Sequence, residues 1–140
     1  MQFLALGGYD ASSVDGLFAV DPQFEWTGGG LASATTDLAR WGQLLYEGRA
    51  FDPKLLAELV DGVPAPPLGP GARYGLGVIL RPTPLGPTRG HSGYFPGYAT
   101  ELMYFQDLGI AAAVQVNTTD PYPRGLAAFL VEVARMAAGR

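Results

Sequence analysis

Two apolar runs near the C-terminus, each bounded by turn residues, constrain the fold of this chain more than any other feature. The first is Tyr98–Phe105, and the second is the very apolar Ile110–Asn117. Gln106–Gly109 separates them, and Pro96-Gly97 separates the first run from a strand that begins at Thr88. Strands joined by such short turns pair in an antiparallel manner. The sequence therefore predicts an antiparallel meander of about three strands.

A C-terminal helix is predicted to follow this meander and to pack on it. Asp120, Pro121 and Pro123 are typical residues at the start of a helix. Apolar side chains then recur at helical spacing in one stripe: Leu126, Phe129, Leu130, Val133 and Met136. Such a stripe stabilises a helix when it is buried, so we expect it to cover the sheet.

Helical spacing also predicts a helix upstream of the sheet, over Ser33–Tyr46. Thr35 or Thr36 is its expected cap, and Gly48 is its expected end. The apolar positions that carry the pattern are Leu38, Trp41, Leu44 and Leu45.

A second, shorter helix is predicted from its end signals. Asp52 is its expected N-cap, Pro53 takes the first helical position, and Gly62 lies beyond the end. Tyr74–Leu80 then has the composition of a strand weakened by two glycines. Three prolines predict a break in the chain after it: Pro82, Pro84 and Pro87. Residues 1–30 carry little periodicity and are predicted to be loop with at most one short strand.

Together these elements predict an α+β fold of the α/β sandwich type. Residues 1–140 are expected to form a single domain or a fragment, since 48% of them are hydrophobic and only 16% are charged. Within it, residues 1–70 are expected to supply a loop and two helices. Residues 71–140 are expected to supply the antiparallel sheet and its C-terminal helix.

Composition excludes several classes of function. The chain has 9 basic and 13 acidic residues without a basic run, so no nucleic-acid partner is expected. No apolar run is long enough to cross a membrane, the start lacks the features of a signal peptide, and we expect no membrane partner. With one histidine and no cysteine, no metal site and no cofactor are expected. The compartment stays open, because many exported proteins also lack cysteine.

The chemically richest stretch is Gly90–Gly97, which holds the only histidine. His91 and Ser92 lie between two glycines, and Tyr94 follows. The stretch is not a nucleophile elbow of the form Gly-x-Ser-x-Gly, because the fifth position is Tyr94 and no second histidine follows in the chain. Two alternatives stay open. The stretch is either an active-site strand edge that pairs with an extended substrate, or an ordinary strand with a satisfied histidine.

Several motifs in order along the chain resemble the C-terminal half of serine β-lactamase-like proteins. This group includes class C β-lactamases, D-Ala-D-Ala carboxypeptidases and related esterases. The matching segments are Gly28-Gly-Gly-Leu-Ala-Ser-x-x-x-Asp-Leu-Ala-Arg-Trp41, Tyr74-Gly-Leu-Gly77, His91-Ser-Gly93 with Pro96-Gly97, Leu108-Gly-Ile110 and Val116-Asn117.

The resemblance implies a role for each residue of the motif. His91-Ser92-Gly93 matches the family's Lys-Thr-Gly or His-x-Gly triplet on the strand that lines the active site. It implies that His91 supplies hydrogen bonding or positive charge and that Ser92 binds the substrate's carboxylate or carbonyl. The backbone N–H of Tyr94 is an implied oxyanion-hole donor. Gly93 and Tyr74 are implied substrate-binding residues, and the implied substrate is a small acyl compound or a peptide.

The sequence departs from the family at the nucleophile. The family's Ser-x-x-Lys is absent, because no serine has lysine three residues later, and a tyrosine or serine two residues before asparagine is absent too. We therefore expect a fragment that is inactive alone and that forms a homo-oligomer or binds a complementing N-terminal half. The alternatives are a non-catalytic binding or assembly module that uses the same strand edge, and a purely structural piece.

Overall fold

The structure, a computed structural model, describes most of the chain from residue 31 onwards. The described ranges are 13–14, 17–18, 26–29, 31–95, 97–118 and 125–139. Near the N-terminus, two-residue strands β1 (Ser13–Val14) and β2 (Leu17–Phe18) pair with each other in an antiparallel manner. The rest of the loop predicted for residues 1–30 lies largely outside the described residues.

Six antiparallel strands form the main sheet, and they lie side by side in the order in which they occur along the chain. The predicted meander is confirmed, and three further strands extend it. The strands are β3 (Val63–Pro64), β4 (Arg73–Tyr74), β5 (Ile79–Thr83), β6 (Gly86–Phe95), β7 (Tyr98–Phe105) and β8 (Ile110–Val116). This α+β architecture agrees with the predicted fold class.

The three prolines do not break the chain, contrary to the prediction. They lie in the hairpin that joins β5 to β6, where Pro82 is paired with Pro87 and Pro84 lies in the turn. Thr83 and Gly86 flank the two-residue turn as the closing pair, so Pro82 and Pro87 take the next position, where antiparallel strands form no hydrogen bond with each other. The Pro87 carbonyl instead accepts from the Gln106 N–H at 3.2 Å, on the side of β7. The Thr83 hydroxyl donates to the Gly86 carbonyl and closes the turn.

The predicted strand over 74–80 is also wrong, because the chain reverses direction inside it. β4 ends at Tyr74 and pairs with β5, which begins at Ile79. The reversal requires glycine at two positions. Gly77 has a positive φ of 70°, and a Cβ on Gly75 would lie 2.3 Å from the Leu59 carbonyl oxygen.

The first helix, α1, covers Thr35–Tyr46. Its N-cap is Ala34 without a side-chain cap, so the prediction of a threonine cap is wrong. The Thr35 hydroxyl instead donates to the Gln115 side chain at 2.8 Å and ties the helix to β8. The predicted end is confirmed, because Gly48 has a φ of 70° and the next N–H turns back to the helix.

The second helical segment has the predicted start but is short. The Asp52 side chain accepts a hydrogen bond from the Lys54 N–H at 3.0 Å, which confirms the cap. A 3-10 turn over Pro53–Leu55 leads into α2, which covers only Leu56–Leu59.

The C-terminal helix α3 (Leu126–Ala137) packs on the face of the sheet that carries Met103 and Phe105. Its fully buried residues are Leu130 and Ala134. The predicted stripe is therefore partly wrong, because Phe129 and Met136 are exposed. The buried face is centred on Leu130 and Ala134, one helical turn apart, so Phe129 and Met136 point away from its centre. The predicted start signals at 120–123 lie outside the described residues.

Helix α1 packs on the opposite face of the sheet. There Tyr46 and Tyr104 form a second core cluster with Val78, and the two tyrosine rings lie 5.9 Å apart. A Cβ on Gly42 would lie 2.7 Å from the Leu102 side chain, so helix and strand are in close contact. The sheet is thus covered by one helix on each face, as predicted for a sandwich. No helix within the described ranges is long and apolar enough to cross a membrane.

Candidate functional site

Strand β6 extends beyond its neighbour β5, and the His-Ser-Gly triplet lies in this extension. Pairing with β5 stops at Gly90, whereas pairing with β7 continues to Phe95. Among the described residues, no strand pairs with the other edge of β6 at His91–Gly93. His91 and Gly93 are exposed and Ser92 is half-buried. This is the geometry of a strand edge that an extended ligand can approach.

Gly90 brings β6 unusually close to β7 just before the triplet. A Cβ at this position would lie 1.9 Å from the Leu102 carbonyl oxygen, which is backbone and cannot rotate away. Only glycine is compatible with this approach. Gly93 differs, because a Cβ there would make an ordinary contact of 3.4 Å with the Thr100 side chain.

His91 forms hydrogen bonds through both of its ring nitrogens. Its Nε2 lies 2.9 Å from the Tyr74 hydroxyl, and its Nδ1 lies 2.6 Å from the Ser92 carbonyl oxygen. The rings of His91 and Tyr74 also meet edge to face, with centroids 5.8 Å apart. Tyr74 is the last residue of β4. The chain reversal that follows it pairs β4 with β5, and the end of β4 thereby lies beside His91.

Ser92 projects to the other face of the sheet from His91, because neighbouring residues of a strand alternate. Its cross-strand partner is Glu101, whose buried carboxylate lies 2.5 Å from Arg81. Sequence reasoning missed this ion pair. One signal was available, since Glu101 is the only charged residue in the apolar run Tyr98–Phe105.

Tyr94 follows the triplet on the same strand, opposite Ala99, and half of its side chain is exposed. The structure thus places all five residues implied by the resemblance at or beside the end of β6. Tyr74 forms a hydrogen bond directly with His91, whereas the side chains of His91 and Ser92 lie on opposite faces of the sheet.

The other polar features of the described residues lie away from the triplet. An open depression of about 310 Å³ is lined by Arg73, Arg81 and Arg89 among other residues, but not by His91–Gly93. Arg89 donates to the carbonyl of Tyr46 at the end of α1. Burial raises the pKa of Tyr46 to about 12, although Arg89 opposes the shift. No three acidic or histidine side chains within the described ranges come together as metal ligands.

The family model of β-lactamases matches residues 5–135, almost the whole sequence. The chain therefore belongs to the β-lactamase family, and the resemblance seen in its motifs is confirmed. Comparison with curated protein sequences found no significant match.

Solved structures share the fold over part of their length. A D-stereospecific amidohydrolase from Streptomyces sp. superposes with a TM-score of 0.55 and 28% identity, covering 61% of this chain and 25% of that protein. SurE superposes with a TM-score of 0.54 and 25% identity, covering 77% of this chain and 26% of SurE. A structure of SurE with D-Leu gives a TM-score of 0.51, 23% identity, and coverage of 76% and 26%. The chain thus spans about a quarter of the length of these proteins.

Proposed function

We propose that this chain carries the C-terminal part of an acyl-transfer site in a β-lactamase-related serine hydrolase that cleaves an amide or an ester. The observation that supports this most directly is the exposed His91–Gly93 triplet on the part of β6 that extends beyond β5. An extended acyl or peptide substrate would lie along this edge and form main-chain hydrogen bonds, as in strand addition.

Each residue of the extension has a proposed part in that reaction. The backbone N–H of Tyr94 would donate to the oxyanion that forms when the acyl carbonyl is attacked. The Ser92 hydroxyl would bind a carboxylate or carbonyl of the substrate, and Gly93 would let the substrate approach the backbone. His91 and Tyr74 would supply the polar side-chain pair beside the reacting group.

The proposed substrate class is an amide that contains a D-amino acid. This rests on the amidohydrolase from Streptomyces sp., which is described as D-stereospecific, and on the SurE structure, which contains D-Leu. Simple esters and β-lactams are the other members of the proposed acyl class, and they serve as probes below.

The nucleophile must come from outside these residues. The only lysine, Lys54, has Phe51 three residues before it, so no Ser-x-x-Lys is present. The only asparagine, Asn117, has Gln115 two residues before it, so a tyrosine-x-asparagine element is absent. We therefore propose that the chain is inactive alone and is completed by a segment or partner that carries Ser-x-x-Lys.

The first test is the intact mass of the chain after incubation with a β-lactam and, separately, with an activated ester. We expect no adduct. A stoichiometric adduct that maps to Ser92 or Ser33 would show that the chain carries its own nucleophile, which contradicts the proposal.

The second test supplies the missing nucleophile. The matched quarter of the Streptomyces amidohydrolase is replaced by this chain, and hydrolysis of a D-amino-acid amide is measured. We expect turnover that falls at least tenfold with His91→Ala and is unchanged with Leu31→Ala, a control position that is 94% exposed. A folded chimera that is equally active with and without His91 would contradict the proposed role of the triplet.

A binding or assembly module is the second candidate, and the open strand edge beside His91 together with the missing nucleophile favours it. It predicts that an acyl-peptide ligand protects the amides of β6 from hydrogen exchange, without turnover even when Ser-x-x-Lys is supplied. If His91→Ala alters neither binding nor complementation, the chain has a structural role only.

A further inference from the structure

The two hydrogen bonds of His91 determine where its proton lies. The Ser92 carbonyl oxygen can only accept, so Nδ1, at 2.6 Å from it, must carry a hydrogen. A neutral imidazole has one ring proton, which leaves Nε2 as an acceptor. The Tyr74 hydroxyl, 2.9 Å from Nε2, must then donate to it. For the neutral ring, the geometry is consistent with one tautomer only.

We infer that Tyr74 is a positioning residue that holds neutral His91 in its Nδ1–H tautomer. Both ring nitrogens are engaged within the chain, so His91 has no ring N–H to offer a substrate while the pair is intact. The polar atom that the pair presents is the hydroxyl oxygen of Tyr74, whose remaining lone pairs accept hydrogen bonds.

This assignment specifies the chemistry that the pair recognises. A phenolic oxygen that donates its own proton to an imidazole accepts from an N–H or O–H group of the ligand. It does not stabilise a developing oxyanion, which needs a donor. Only this consequence for the ligand rests on the proposed function, because the tautomer is a property of the chain itself.

The chain is well suited to a direct test because His91 is its only histidine. Uniformly ¹⁵N-labelled protein is examined by long-range ¹H–¹⁵N correlation at a pH about two units above the ordinary histidine pKa of about 6.5. We expect a pyrrole-type signal for Nδ1 and a pyridine-type signal for Nε2. In Tyr74→Phe the ratio of Nδ1–H to Nε2–H forms should fall about fivefold, the effect of losing one hydrogen bond.

Tyr98→Phe is the matched control. Tyr98 is an exposed tyrosine on β7 opposite Phe95, and its loss should leave the tautomer ratio unchanged. The inference is overturned if wild-type His91 carries its proton on Nε2, or if a folded Tyr74→Phe keeps the wild-type ratio. If Tyr74→Phe does not fold, the wild-type tautomer decides alone. If His91 has the Nδ1–H tautomer but the chimera is inactive, the proposed function is refuted and the Tyr74–His91 inference stands. If the chimera is active but His91 carries its proton on Nε2, only the Tyr74–His91 inference is refuted.

Discussion

At the scale of single residues, the closest backbone approach in β6 is at Gly90. We predict that Gly90→Ala lowers the free energy of unfolding by more than about 2 kcal/mol, because its Cβ would overlap the Leu102 carbonyl at 1.9 Å. Gly93→Ala, three residues along the same strand, makes only an ordinary 3.4 Å contact and should cost less than about 1 kcal/mol. Urea unfolding of both variants measures the difference. Equal losses would show that the strand relaxes at Gly90.

Tyr46 gives a prediction for alkaline pH. Its pKa is raised from 10.0 to about 12, mainly by burial, so the folded state keeps the phenol protonated where the unfolded state loses the proton. This contribution to stability is fully present below pH 10 and is lost as the pH rises through about 12. A shift of this size corresponds to about 2–3 kcal/mol. Urea unfolding as a function of pH should show the loss in wild type and a smaller one in Tyr46→Phe. If the unfolding free energies of wild type and Tyr46→Phe fall equally with pH, the prediction is contradicted.

Single residues predicted the conformation correctly where it depends on residues adjacent in the sequence. Asp52 caps its turn and Gly48 ends α1, as predicted, because both effects are local. The Tyr74–His91 hydrogen bond joins residues seventeen positions apart. The sequence marked both positions by resemblance, but only the chain reversal after β4 shows that they are in contact.

At the scale of elements, the Arg81–Glu101 pair links β5 to β7 across β6. Glu101 is 5% exposed, so we predict that Arg81→Met, which leaves its carboxylate uncompensated, costs about 3–5 kcal/mol of unfolding free energy. The double variant Arg81→Met with Glu101→Leu should recover most of this loss, because no charge then stays buried. Denaturant unfolding of the two variants tests the prediction. A loss below about 1 kcal/mol in the single variant would show that water solvates the carboxylate.

Elements were predicted well where a pattern matched one structure and poorly where tertiary contacts decided. The apolar runs predicted β7 and β8 correctly. Each run is 7 or 8 residues long and is bounded by turn residues, which is the usual length of a strand and short for a helix. The prolines were predicted to break the chain but lie in a hairpin, and the glycines were predicted to lie in a strand but lie in a chain reversal. Pro82 and Pro87 are tolerated because they pair next to the turn, at a position where β5 and β6 form no hydrogen bond with each other, and the glycines after Tyr74 form a reversal rather than a strand. Neither pairing is visible in local sequence.

At the scale of the whole molecule, the order of the motifs was the strongest guide. No single motif distinguished an active-site strand from an ordinary one, but five segments in the family's order identified the β-lactamase family, which the family model confirms. The roles of His91, Ser92 and Tyr94 stay predictions, because a site that spans several segments is not defined by one of them.

The sheet as a whole yields the last prediction. Among the described residues β8 is the final strand of the sheet, so its outer edge presents backbone groups that no described strand pairs. α1 and α3 cover its two faces but cannot satisfy that edge, and an apolar edge strand is a template for another chain.

We predict that the chain self-associates through β8 or binds a complementing segment there. Light scattering over two orders of magnitude in concentration should show a rising mass, and hydrogen exchange should show protection of outward-facing amides of Ile110–Val116 only in the concentrated sample. A constant monomeric mass with identical exchange at both concentrations would contradict self-association, and the same exchange measured with a Ser-x-x-Lys-bearing segment added in trans would then test whether a partner covers the edge instead.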